Sequence, residues 1–436
     1  MSRAMDLTTD RLLKRRQIRE SRPCAIATAC LLRRVVASTR SSDPQKFMQQ
    51  VQEVGQRLTV AQPKELAVGN IVRRVMGLIR DEQDETRGET EFSLLSEITS
   101  TVLRSPKLDP DLSPSKSLPN GMPGTPDAKS RSPTRPPLLS SHAGYAGTPP
   151  VTSMFSILNH PTMTGSGASS PLPRSGTATP NAQPAGDLRA ELIEGIGEII
   201  DELDQAEEQI ANYALEHIHP NEVILTYSSS NTVQKFLLKA ASKRKFTVIH
   251  AEAFPNDHQT HALVTGNIDP ERDDLTTESF QKPLTVAGIT VILIPDAAIF
   301  TVMSHVNKVI LGTHAVLANG ALMAFAGTKL VAKTAKAHGV PVIVLSETYK
   351  LSPQYPHDPD AFVEFGDPTK MFGRKDRDLL DMVTSENPIF DFVEPGNVDL
   401  FVTNLGGHAP GYLYRIIRDQ YREEDLELYE KPGGEM

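Results

Sequence analysis

Ser228, Ser229, Ser230, Asn231 and Thr232 set four hydroxyls and one amide in a row, between a β-branched run and the start of a helical one. Such a row can cap the helix, each oxygen taking an N–H that the first turn leaves unbonded, or it can join those N–H groups in holding an anion. Capping is the commoner role. Asp296 follows Pro295 at the end of another apolar run, where a carboxylate either caps the next turn or serves as an acid or base. His314 and Asn319 stand in the stretch from Gly312 to Gly320, and Thr328 follows Gly327 at the opening of a further helix. Ligands of an open parallel sheet lie beyond the carboxyl ends of its strands, so these residues together outline one candidate pocket.

Other chemistries find less support. His217 and His219 are two residues apart, which puts their rings on different faces of a helix, and His258 and His261 sit in a polar stretch. Neither pair comes with the Cys or acidic partners of a metal site, so no metal is expected. No GxxxxGK phosphate loop occurs, and no Ser or Cys stands in a nucleophile elbow. Cys24 and Cys30 are too few for a disulfide framework and lack a second ligand pair for zinc, which fits a reducing compartment such as the cytosol. Arg73, Arg74 and Arg80 lie on one amphipathic run and offer guanidinium groups suited to bidentate pairing with carboxylate or phosphate; an ordinary solvated helix face would carry them as readily.

The elements that must position these groups can be read from periodicity. Phe47, Val51, Val54 and Leu58, then Leu66, Ile71, Val75 and Ile79, recur at helical spacing on either side of Gln62-Pro63. That spacing predicts a helical hairpin, with Pro63 in the first turn of its second helix. Residues 1–100 are read as an N-terminal helical domain whose first forty residues are less well defined. Residues 101–186 are rich in Ser, Thr, Pro and Gly and hold 16 of the 33 prolines, so they are expected to be a disordered insert. Its Ser-Pro and Thr-Pro pairs suit proline-directed phosphorylation or a plain spacer. A long helix is expected over 187–220, carrying Leu192, Ile196, Ile199, Leu203 and Ile210 on one face and acids on the other.

From Val223 the period changes. Short β-branched runs at Val223–Thr226, Phe246–His250, Ile289–Ile294, Lys308–Leu311, Val342–Leu345 and Leu400–Thr403 read as buried strands. Helical stretches at Val233–Ser242 and Thr328–His338 alternate with them, which predicts an α/β domain over 221–425, a Rossmann-like parallel sheet with helices on both faces. Residues 257–284 read as an acidic surface loop and 426–436 as a tail.

Composition narrows the function further. A net charge of −9 argues against a protein that coats nucleic acid, because phosphate neutralisation needs clustered Lys and Arg. No apolar run approaches the roughly 20 residues needed to cross a bilayer. The first forty residues are Arg-rich, yet Asp6, Asp10 and Glu20 interrupt the acid-free run that a mitochondrial leader keeps.

Ile294-Pro-Asp-Ala-Ala-Ile, Gly312-Thr-His-Ala-Val-Leu-Ala-Asn-Gly and Gly327-Thr328 resemble segments of one family. It joins the regulatory subunits of eukaryotic translation initiation factor two-B to the methylthioribose-phosphate and ribose-bisphosphate isomerases. Ala61-Gln-Pro, Val68-Gly-Asn-Ile-Val-Arg-Arg-Val, Thr226-Tyr-Ser-Ser-Ser-Asn-Thr-Val and the tail from Asn387-Pro-Ile-Phe-Asp-Phe-Val to Asn404-Leu-Gly-Gly-His-Ala-Pro are similar to the regulatory subunits. The resemblance covers about residues 44–100 and 187–425. It implies a non-catalytic regulatory subunit without a cofactor, in the exchange complex that reloads initiation factor two with GTP. It also implies pairing with a delta subunit, assembly with alpha, gamma and epsilon subunits, and contact with the alpha subunit of initiation factor two, whose phosphorylation restrains exchange. No DNA or membrane partner follows.

Departures from the isomerase pattern point the same way. Isomerases of this family carry a Cys where this chain has Ser228, and acidic positions align with His314 and Ala321. A Lys becomes Phe325 or Ala326, so no catalytic residue is expected. A sugar-phosphate isomerase with a rearranged site, or a sensor that still binds a phosphorylated sugar at Ser228–Thr232, is the alternative.

Overall fold

The computed structural model describes residues 11–102, 188–252, 276–371 and 382–428, apart from 16, 19, 40–42 and 427; over 85–102 and at 370 it describes the backbone alone. Most of the expected insert, residues 257–275 and the tail beyond 428 lie outside the described residues. Residues 1–96 and 184–436 make up one compact unit; of the second, 97–183, only helical backbone to 102 is described.

Three helices open the chain: α1 (Ser21–Ser38), α2 (Pro44–Ala61) and α3 (Leu66–Val102). Asp43 starts α2, its carboxylate accepting the Gln45 N–H at 3.1 Å, with Pro44 in the first turn where a missing N–H costs nothing. The predicted apolar faces are the buried ones: Phe47, Val51 and Leu58 of α2 meet Ile71, Val75 and Ile79 of α3, with Leu32 of α1 in the same core. Pro63 sits in the turn between the two helices, not in the first turn of α3.

The next helix, α4 (Leu188–Asn212), adds Leu192, Ile196 and Leu203 to this core. Gly195 lets it approach α3 closely, since a Cβ there would stand 2.7 Å from Leu78 Cδ2. The helix expected over 187–220 breaks at Tyr213, resumes as the short α5 (Ala214–His217) and ends there.

The sheet region follows as β1 (Val223–Tyr227), α6 (Asn231–Ala241), β2 (Thr247–Glu252), α7 (Thr277–Val286), β3 (Thr290–Pro295), α8 (Ile299–Val302) and β4 (Lys308–Gly312). After these come β5 (Ala315–Val316), β6 (Leu322–Phe325), α9 (Thr328–His338), β7 (Val342–Leu345), β8 (Phe390–Val393), β9 (Leu400–Thr403), β10 (Gly406–His408) and α10 (Leu413–Gln420). Seven strands form one sheet in the order β10-β9-β7-β4-β1-β2-β3, parallel except for β10. Alternate residues go to opposite faces, as in any strand. Leu225, Ile249, Val309, Val344 and Phe401 pack toward α9 and α10, while Ile224, Val248, Ile310, Ile343 and Val402 pack toward α6 and α7. The predicted α/β class and its six strands are found.

Three features depart from the sequence reading. Residues 277–284, expected within the loop, belong to α7: Thr276 caps it by accepting the Ser279 N–H at 3.1 Å, and Phe280 and Leu284 are fully buried. Two apolar residues and an internal Pro283 were too weak a pattern to mark a helix. A second sheet, β5-β6-β8, is antiparallel and made of strands of two to four residues, too short for alternation to register. Finally, β3 is an edge strand with Ile292 and Leu293 about half exposed, whereas a fully buried strand was expected.

Candidate functional site

Strand order reverses between β1 and β4: β2 and β3 extend the sheet on one side of β1, while β4 and β7 extend it on the other. The carboxyl ends of these strands border the crevice where doubly wound folds bind ligands. Ser228 leaves β1 with a φ of 60°, a left-handed conformation that costs a residue bearing a Cβ about 1–2 kcal/mol. Its N–H donates to Ala251 O at 2.9 Å, and the sharp turn allows α6 to start at Asn231. Ser230 occupies the N-cap position, yet its hydroxyl makes no capping bond. Its Oγ lies over Gly312, where a Cβ would come within 2.7 Å of it. The capping role expected of this hydroxyl is therefore absent.

What fills the crevice is acidic. Thr232 Oγ1 donates to Glu347 Oε1, and Lys350 Nζ lies 2.7 Å from Glu347 Oε2. Glu347, in the segment after β7, is fully buried. Beside it, Thr348 donates its N–H to Asn404 Oδ1 at 3.0 Å and its hydroxyl to Glu202 Oε1 at 3.0 Å. Glu202 in turn holds Arg74 Nη2 at 2.5 Å, and Asn70 Nδ2 donates to Tyr349 O at 2.9 Å. Burial and the Glu347 carboxylate both push the Tyr349 hydroxyl well above its usual pKa, keeping it neutral.

The second candidate anion site, the start of α9, is also filled. Asp391 of β8 accepts the N–H groups of Gly327 at 2.7 Å and Lys329 at 3.0 Å, and Thr328 Oγ1 donates to Phe325 O at 2.6 Å. A carboxylate there matches the positive end of the helix dipole. Gly327 is required at this turn: its φ is 102°, and a Cβ would lie 1.9 Å from the Tyr227 hydroxyl, which donates to Ala326 O at 2.5 Å.

The remaining predicted residues have local or helix-facing roles. Asp296 accepts the Ala297 N–H at 2.7 Å, and Asn319 accepts the Ala321 N–H at 2.9 Å in the turn between β5 and β6. His314 faces α1. Its ring stacks on Phe390 at 4.3 Å, Nδ1 lies 3.1 Å from Ser21 Oγ, and Nε2 lies 3.4 Å from Glu65 Oε2. Burial lowers its pKa, and the Glu65 carboxylate opposes that shift.

All three arginines are engaged within the chain. Arg73 donates to Leu426 O and is buried, Arg74 pairs with Glu202, and Arg80 grips Asp425. Of the three, Arg74 also lines a cleft of about 470 Å³ between α3, α4 and α10, and its buried Nη1 makes no hydrogen bond among the described residues.

His250, not singled out from sequence, stands opposite Thr226 on neighbouring strands, and both are fully buried. Gln281 Nε2 lies 2.9 Å from His250 Nδ1, while Thr226 Oγ1 makes no hydrogen bond among the described residues. Burial lowers the His250 pKa to about 4. Glu347, Asp391 and His250 share one overlooked signal, a charged or titratable residue inside or directly after an apolar strand run. Among the described residues no group of His, Cys, Asp and Glu is placed to hold a metal, and no helix is long and apolar enough to cross a membrane.

Residues 17–269 and 274–410 match the Initiation factor 2 subunit family. The chain is 38% identical over 420 residues to translation initiation factor eIF2B subunit beta of Schizosaccharomyces pombe, with 95% of each chain covered. Its fold is similar to the crystal structure of eIF2B beta from Chaetomium thermophilum, with a TM-score of 0.60 and 27% identity over 98% of this chain and 93% of that one. A chain of the tetrameric eIF2B-beta2-delta2 complex of the same organism gives a TM-score of 0.58 and 28% identity, covering 97% of this chain and 96% of that one.

Proposed function

The chain belongs to the Initiation factor 2 subunit family, and from that premise we propose that it is a beta-type regulatory subunit of a cytosolic complex that exchanges guanine nucleotide on initiation factor two. The observation that carries the non-catalytic part of this reading is Glu347, a fully buried carboxylate set between Thr232 and Lys350 in the crevice where a ligand of this fold would sit. A sugar phosphate would have to displace that carboxylate at the start of α6, or Asp391 at the start of α9. Displacing Glu347 strands a fully buried charge, at a cost of several kcal/mol, and displacing the half-buried Asp391 leaves the first N–H groups of α9 without their acceptor. Ser228, in place of the Cys of related isomerases, has a hydroxyl far less acidic than a thiol.

Assembly with a delta-type subunit is supported by the beta2-delta2 composition of the similar complex and by the apolar edge strand β3, whose outer side no described strand pairs. The alpha subunit of initiation factor two is proposed to contact the helical part. Of the three arginines, Arg74 is the one retained for that contact, because it lines the cleft between α3, α4 and α10.

Native mass spectrometry of this chain, alone and co-expressed with the four other subunits, tests the proposal together with GDP release from initiation factor two. Entry into a large complex at fixed stoichiometry, with no exchange by the chain alone, is the expected outcome. A homo-oligomer that ignores the other subunits and turns over a sugar phosphate would refute it.

A further inference from the structure

The last described residues cross back from the sheet to the first helices. Helix α10 belongs to the sheet core through Ile416 and Ile417, and Tyr421 ends that attachment with its hydroxyl donating to Leu351 O at 2.7 Å. Beyond Tyr421 the chain lies along α2 and α3. Arg422 pairs with Asp81 and with Asp84, the latter at 2.8 Å. Arg80 holds Asp425 through Nε at 3.2 Å from both oxygens and Nη2 at 3.0 Å from one, and its Nη1 reaches Glu424. Arg73 donates twice to Leu426 O, at 3.2 and 3.3 Å, and Gln52 Nε2 donates to Leu428 O at 3.3 Å. Leu428 is buried in the helical core beside Gly69, whose missing side chain leaves room for Leu428 and for the Arg73 guanidinium.

Two properties set this contact apart from ordinary core packing. Asp425 is a fully buried carboxylate, and the guanidinium of Arg80 receives it in a bidentate grip, Nε on one oxygen and Nη2 on the other, a geometry that suits planar, doubly accepting anions. The segment is otherwise held by ion pairs and carbonyl bonds, with Leu428 its one buried aliphatic anchor and Leu426 partly exposed. The part-exposed pairs of Arg422 with Asp81 and Asp84 and of Arg80 with Glu424 are open to salt and to competition, while the buried Arg80–Asp425 pair is screened much less.

We infer that the groove formed by Gln52, Gly69, Arg73 and Arg80 is a docking surface for an acidic, leucine-bearing segment of a partner polypeptide, where Glu424, Asp425, Leu426 and Leu428 stand in cis. The occupant shows the chemistry the groove selects: a carboxylate for Arg80, a backbone carbonyl for Arg73 and an aliphatic side chain for the space beside Gly69.

The test uses the full chain with Glu424→Lys and Asp425→Lys together, to release the segment, and a fluorescein-labelled peptide of the sequence of residues 421–428. The released chain is expected to bind the peptide at least tenfold more tightly than the unsubstituted chain, whose groove is occupied. Raising salt from about 50 to about 300 mM should weaken that binding several-fold. Adding Arg80→Glu to the released chain should abolish it. Asp425→Asn, which keeps the shape and removes the charge, should give the same ranking at less risk to folding. Equal binding with and without Arg80→Glu, or no binding by either released chain, overturns the inference. So does hydrogen exchange in which β1 loses protection together with α3, since the segment would then be an inseparable part of the core.

Discussion

His250 carries the clearest pH dependence of any side chain near the crevice. Its ring is fully buried, and desolvation lowers its pKa to about 4, against about 6.5 for an exposed imidazole. Because the folded value lies below the unfolded one, the unfolded chain takes up the proton first as pH falls. The contribution to stability is complete above about pH 6.5 and is lost progressively toward about pH 4. Between about pH 7 and about pH 5 this amounts to about 2 kcal/mol. Urea unfolding at those two values should show that difference, and His250→Asn should remove most of it. Sequence could place Ser228–Thr232 at the strand end from turn chemistry alone, but it could not show that Glu347, 115 positions after Thr232, fills the space before them. Nor could helical spacing reveal that Arg73 and Arg80 point at the far end of the chain; that pairing spans about 350 residues.

Elements with strong periodicity were legible, and those without it were not. Helix α9 was read at its true ends because Gly327 and Gly339 bracket it, both with positive φ. Strands β1, β4, β7 and β9 were legible because burial on both faces makes each a continuous apolar run. Helix α7 escaped because its stability comes from tertiary contact: Phe280 packs against His250 with ring centroids 4.6 Å apart, and Gln234 donates to Phe280 O at 2.9 Å. Truncating Phe280 to Ala should therefore cost about 3–5 kcal/mol, the usual range for a buried phenylalanine. Val286, on the same helix but 88% exposed, should cost under about 0.5 kcal/mol when changed to Ala. Thermal unfolding of the two variants checks the contrast. Equal effects would mean that α7 is not anchored through Phe280.

At the scale of the whole molecule, the two edges of the large sheet are treated differently. At one edge β10 turns back antiparallel on β9, a short strand containing two glycines. At the other, no described strand pairs with the outer side of β3, and Ile292 is 45%, Leu293 51% and, just beyond, Phe300 63% exposed. Native proteins usually blunt such an edge with charge, proline or a covering element; among the described residues Pro295 stands at its end. An apolar edge of this kind is a surface that a second sheet or a packed helix covers in an assembly. Leu293→Asp with Phe300→Asp puts two charges on that surface while leaving the buried Ile294 and Ile299 in place. The pair should leave the melting temperature of the isolated chain within a few degrees and weaken the association proposed with a delta-type subunit at least tenfold, measured by sedimentation or native mass spectrometry. Association that survives both charges would move the interface elsewhere, and the exposed β3 edge would then need another partner.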